Sequence, residues 1–270
     1  MSSSSSTDPK PNANTTGTDA KTKPCYLPRI TPIIPGLYLG NLLGSHNTTL
    51  LQAHHITAIV SLTTVPHVQI HPDTLAAGIP PSRHQWARVI DSSVQDLLMY
   101  MTEICDFIDR MGSPALKACI SLPTGNDNSN AVGLDKHHHH DTNNGNGDGN
   151  DGDNDNEKED WGVLVHCDLG RSRSPTIIIA YLMRKFGIGV DEALAFVKSK
   201  QKVKPRDGFL RQLKVWEETG YQVWEESDGA EEEGEGGDGG KEKRKGKKVP
   251  KEAYKVWLGE RKLRLREMGF

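Results

Sequence analysis

Between residues 162 and 186 the chain reads GVLVHC, DLGRSR, SPTIIIAYLMRKF, and no other stretch narrows the choice of fold so far. Gly162–His166 is a short apolar, β-branched run of the kind that forms a strand buried on both faces. Ser174–Phe186 has the length and apolar content of a buried helix, and Pro175 fits its first turn, where a missing N–H is not needed. A buried strand joined to a buried helix by a short polar loop belongs to an α/β layer architecture. The rest of the chain keeps this alternation. Leu37–Gly40, Thr57–Leu62 and Trp86–Ile90 read as strands, and Thr48–His55, Asp191–Lys200 and Gly208–Val223 as helices. A further helix over Asp96–Arg110 places Leu97, Met101, Ile104, Cys105 and Ile108 on one face. The expected fold is a central sheet covered by helices.

Only 35% of the 270 residues are hydrophobic, and three segments account for the dilution. Residues 1–24, the insert at about 121–160 and residues 227–250 are too polar to offset the entropy of ordering and are expected to be disordered. One catalytic domain is expected over 25–226, followed by a basic amphipathic helix over 251–270 that carries Val256, Trp257, Leu263 and Leu265. Packing on the domain, partner binding and membrane-surface binding are all open to that helix. His137–His140 read as a compositional run rather than a metal site, and KEKRKGKK as a solvated tail or a nuclear localisation patch. Cys25, Cys105, Cys119 and Cys167 show no CxxC spacing, which fits a reducing compartment. With a net charge of −3, no leader-like N-terminus and no apolar run long enough to cross a bilayer, a soluble monomer is expected in the cytoplasm, the nucleus or both. No nucleic-acid partner, metal or cofactor is expected.

The loop between strand and helix carries the chemistry. A turn leading into a helix N-terminus aims successive backbone N–H groups at one point, and with the helix dipole this makes an anion cradle. The backbone amides of Asp168, Leu169, Gly170, Arg171, Ser172 and Arg173 are the candidate phosphate donors. Gly170 permits a backbone conformation that a Cβ would resist, and the Arg173 guanidinium can fork onto two phosphate oxygens. Cys167 lies at the base of the cradle, where the same positive field favours a thiolate nucleophile. The side chains of Asp168 and Arg171 are expected to face the mouth. There Arg171 either favours acidic or doubly phosphorylated substrates or is simply solvated.

His166, Cys167, Arg173 and Ser174 together resemble the signature of the protein tyrosine phosphatase superfamily, Cys followed by five residues and Arg. The segments PGLYLGN, ITAIVSL, RVIDSSVQDLL, ICDFID and KPRDGFLRQL resemble its small dual-specificity branch. The resemblance implies a mixed, mostly parallel sheet and phosphoprotein substrates carrying phosphotyrosine, phosphoserine or phosphothreonine. It implies that Asp91 is the general acid and base, that Ser174 assists departure of the thiolate, and that His166 orients the loop. Asp96 competes with Asp91, but directly before Leu97 it reads as the first turn of the next helix. Asp91 and Cys167 lie 76 positions apart, a wide spacing that the low-complexity insert explains. Two other readings are a phospholipid or RNA 5′-phosphate substrate with the same mechanism, and a non-catalytic phosphate-binding scaffold.

Overall fold

A computed structural model describes residues 27–66, 71–123, 161–226 and 248–270. The expected N-terminal tail, Cys25, nearly all of the 121–160 insert with His137–His140, and most of the 227–250 linker lie outside those residues.

The strands β1 (Ile30–Ile34), β2 (Leu37–Asn41), β3 (Ile56–Thr63), β4 (His84–Arg88) and β5 (Gly162–Cys167) form one sheet in the order β1-β2-β5-β3-β4. Only β1 and β2 are antiparallel, and β5 lies at the centre between two parallel neighbours. Successive β5 residues therefore alternate between two cores. Val163, Val165 and Cys167 face the larger one, and Leu164 faces the smaller one with Leu51, Ile56 and Ile59.

The larger core is roofed by α4 (Leu98–Met111), α6 (Arg173–Phe186), α7 (Val190–Lys200) and α8 (Asp207–Glu218). The short helices α1 (Leu42–Ser45), α2 (Thr48–Ala53) and α3 (Pro72–Ala76) follow β2 and β3, and α5 (Pro114–Ala118) precedes β5. The mixed, mostly parallel sheet flanked by helices matches the expectation from sequence.

Several boundaries differ from that expectation for local reasons. β4 ends at Arg88, two residues before Ile90, because the chain turns there and the Val89 carbonyl serves Arg173. α8 stops at Glu218, where Gly220 (φ 65°) and Tyr221 (φ 60°) adopt left-handed conformations that end the helix. After it, β6 (Trp224–Glu226) pairs with β7 (Lys248–Pro250) and leads into α9 (Glu252–Glu267). That last helix packs on the domain through Tyr254 and Trp257, whereas Val256 and Leu263 are exposed. Of the expected apolar set Val256, Trp257, Leu263 and Leu265, only Trp257 is buried. The edge-on contact of Tyr254 with Trp224 of β6 orients the helix on the domain, and Trp257 stacks beside Tyr254 on the same face.

Candidate active site

Cys167 ends β5 in register with Asn41 and Leu62 of the neighbouring strands, and its side chain is only 2% exposed. The loop 168–172 begins there, and each of its carbonyls is held from outside. Leu42 N–H donates to the Asp168 carbonyl (3.2 Å) and Arg29 Nη2 to that of Leu169 (3.1 Å). Gln201 Nε2 donates to the Gly170 carbonyl (2.8 Å), Lys204 N–H to that of Arg171 (2.7 Å), and Thr176 N–H to that of Ser172 (3.1 Å). Across a planar trans peptide the C=O and the next N–H point in opposite directions. Five carbonyls turned outward therefore turn the N–H groups of Leu169 to Arg173 inward, toward a common centre. Gly170 makes the curl possible: its φ is 66°, and a Cβ there would come within 2.5 Å of the Gly40 carbonyl oxygen.

Arg173 opens α6 with its guanidinium buried beneath this loop. Nη1 donates to the carbonyls of Leu62 (3.1 Å) and Val89 (3.0 Å), and Nη2 to Asp168 Oδ2 (2.5 Å). Its buried Nε has no protein partner among the described residues, so it is a donor suited to an anion in the cradle. The Asp168 side chain is half exposed, as expected of a residue at the mouth, but it turns back to pair with Arg173 rather than pointing only outward. Ser174, wholly buried, donates its hydroxyl to Cys167 Sγ at 3.2 Å.

His166 faces the opposite side of β5 and shares a 2.7 Å hydrogen bond with Ser61 Oγ on β3. Complete burial, helped by the nearby His46, His84 and Arg173 and opposed by a backbone hydrogen bond at Cys167, pushes its pKa down to about 3. A neutral imidazole pinned to β3, at the strand end from which the loop springs, suits the expected role of orienting the loop and not that of a base.

Asp91 lies three residues past β4, and its side chain remains 34% exposed at the rim of the loop. Ser172 Oγ and Arg206 Nε each donate to Asp91 Oδ1 at 2.8 Å. The structure thus brings Asp91 to the loop although 81 residues separate it from Ser172. Asp96 is instead buried just ahead of α4 rather than in its first turn, with Oδ1 accepting the Met99 N–H (3.2 Å). Burial raises its pKa, an effect opposed by hydrogen bonds from Tyr254 and Met99 and by the charge of Arg261. Arg171 and Asp91 border a cleft of about 560 Å³ that Lys204, Arg206 and Arg211 also line.

The sequence reading missed the supporting residues: Arg29 and Gln201 on loop carbonyls, Ser61 on His166, and Arg206 on Asp91. KPRDGFLRQL carried the one available signal, a proline-bounded cation directly before a helix. Cys105 lies wholly buried in α4, and burial pushes its thiol up to about 12, so it is a packing residue and a poor thiolate. Among the described residues no cluster of three or more His, Cys, Asp or Glu could hold a metal ion.

A family model described as the catalytic domain of dual specificity phosphatases matches residues 154–219. Dual specificity protein phosphatase 1 of Arabidopsis thaliana is 29% identical over 185 residues, covering 68% of this chain and 67% of that protein. Dual specificity protein phosphatase 1B of the same plant is 26% identical over 191 residues, covering 70% of this chain and 83% of that protein. A crystal structure of human DUSP28 superposes with a TM-score of 0.48 at 22% identity, covering 72% of this chain and 96% of that one. The matched domain spans the strand, loop and helix that build the cradle, and the alignments with both plant relatives are longer than it. By these similarities the chain resembles the enzymes of the dual-specificity phosphatase family.

Proposed function

We propose that the chain hydrolyses phosphotyrosine and phosphoserine or phosphothreonine in proteins through a cysteinyl-phosphate intermediate. The observation that carries this reading is the outward anchoring of five loop carbonyls, which gathers the loop amides over Cys167. A phosphate monoester seated there meets those amides and the Arg173 guanidinium, which stabilise charge on its equatorial oxygens. The Cys167 thiolate attacks phosphorus and the P–O ester bond breaks, while Asp91 gives its proton to the departing oxygen. Both hydrogen bonds to Asp91 fall on Oδ1, which leaves Oδ2 to carry that proton. Water then attacks the phosphocysteine, Asp91 takes the water proton, and the S–P bond breaks to release inorganic phosphate. The Ser174 hydroxyl stabilises the sulfur as its negative charge returns.

The deciding experiment is hydrolysis of a phosphotyrosine and a phosphothreonine peptide in the presence of a chelator, beside Cys167→Ser. Turnover of both peptides by the wild type, abolished in the variant while phosphate-site binding persists, is the expected result. If the folded wild type turns over neither peptide, the protein-substrate reading fails, and phospholipids and 5′-phosphorylated RNA become the substrates to try.

A further inference from the structure

The segment that delivers Asp91 runs from Val89 to Leu97 between β4 and α4, with no helix or strand of its own. Two helices from the far end of the chain hold it. From α8, Gln212 Oε1 accepts the Leu97 N–H (2.7 Å) and Gln212 Nε2 donates to the Gln95 carbonyl (2.8 Å). From α9, Arg261 Nε donates to the Val94 carbonyl (2.7 Å) and the Tyr254 hydroxyl to Asp96 Oδ2 (2.8 Å). Tyr254 and Asp96 are both buried, 2% and 5% exposed. The segment also closes on itself, because Gln95 Oε1 accepts the N–H of Ile90, the residue before Asp91 (3.1 Å). An unbroken set of bonds therefore runs from α9 through Val94, Gln95 and Asp96 to the backbone beside Asp91.

We propose that α9 is a clamp on this segment, with Tyr254 and Arg261 acting as positioning residues for the proton transfer made by Asp91. The inference rests on the reading of Asp91 as general acid. It reaches further because α9 lies beyond residues 154–219 of the matched domain and contacts the segment from 158 and 167 positions away. Tyr254 and Trp257 are the only buried residues of α9, so the helix can release without opening the sheet. Release would loosen Asp91 while Cys167, Arg173 and the loop carbonyls keep partners outside α9; Val89, which accepts from Arg173 at the start of the segment, is itself tied to the Thr63 carbonyl of β3 (3.3 Å). The segment that carries the acid thus takes support from α9, and the nucleophile does not.

The test uses phenyl phosphate and dinitrophenyl phosphate, two small esters of which only the first needs a proton on its leaving group. The quantity to compare is kcat/KM, which reports formation of the phosphoenzyme and excludes its later hydrolysis. The Tyr254→Phe/Arg261→Gln double variant keeps the aromatic packing and removes both clamp bonds. Complete loss of a general acid costs roughly 10²–10⁴-fold, so a loosened one should lose about 10-fold or more on phenyl phosphate and little on the dinitrophenyl ester. Equal losses on both esters, or no loss on either, overturn the clamp. Asp91→Ala measured in parallel separates the two layers of inference. If it shows the ester selectivity and the double variant does not, the clamp alone fails; if Asp91→Ala shows none, the acid assignment fails and the clamp with it.

Discussion

Ser174 is wholly buried, and its hydroxyl donates to the sulfur of Cys167. A hydrogen bond to a charged partner contributes about 1.5–3 kcal/mol, and this one gains most when the thiolate is re-formed. Ser174→Ala should therefore slow breakdown of the phosphoenzyme by about 10–100-fold, the rate equivalent of that energy, and affect its formation much less. Rapid-mixing kinetics should then show a burst of released phenol followed by a slow steady state. An unchanged kcat with no burst would remove Ser174 from the mechanism. At this same scale the sequence was most informative where chemistry restricts the choice of residue. Cys167, Arg173 and Gly170 are hard to replace at their positions, and each was legible. Arg206 was not, because a lone arginine reads the same whether it is solvated or bonded to a carboxylate 115 residues away.

The curl of the loop as an element depends on Gly170. Alanine there takes on a left-handed conformation costing about 1–2 kcal/mol, and its methyl group meets the backbone of β2 rather than a movable side chain. Gly170→Ala should lower the denaturation midpoint and also reduce kcat/KM, because relief of the overlap turns loop amides away from the centre. A stable variant with full activity would show that the curl is not needed. Elements were legible in proportion to the regularity of their burial. Residues of α4 and β5 alternate cleanly between core and exterior or between two cores, and their limits were nearly right. β1 was overlooked because Pro32 argues against a strand, although an edge position tolerates it. The inner face of α9 was read only in part: Trp257 was expected, but the aliphatic residues named with it are not buried, and Tyr254, which meets Trp224, was passed over.

For the whole molecule, buried histidines set the response to acid. Burial lowers His84 to about 4 and His166 to about 3, from an ordinary value of 6.5. The unfolded chain binds these protons first, so stability present above pH 6.5 is lost progressively as pH falls toward the folded values. Asp96 works in the opposite direction, since its raised pKa lets the folded state take up a proton first. Urea titrations should give a lower unfolding free energy at pH 5 than at pH 7.5, and His84→Leu should flatten the difference, because neither ring nitrogen of His84 has a partner to lose among the described residues. An unaltered pH dependence in that variant would count against this account. The polarity of β5 has a different consequence. Its last residue is Cys167, the proposed nucleophile, while its first, Gly162, follows the stretch 124–160 and sits at the other end of a strand about 17 Å long. Trp161 and α5, on either side of that stretch, both abut the turn at Gly36. The fold thus has a splice point as far from its chemistry as the central strand allows, where a reporter or sensor module can be grafted in and the enzyme left to run.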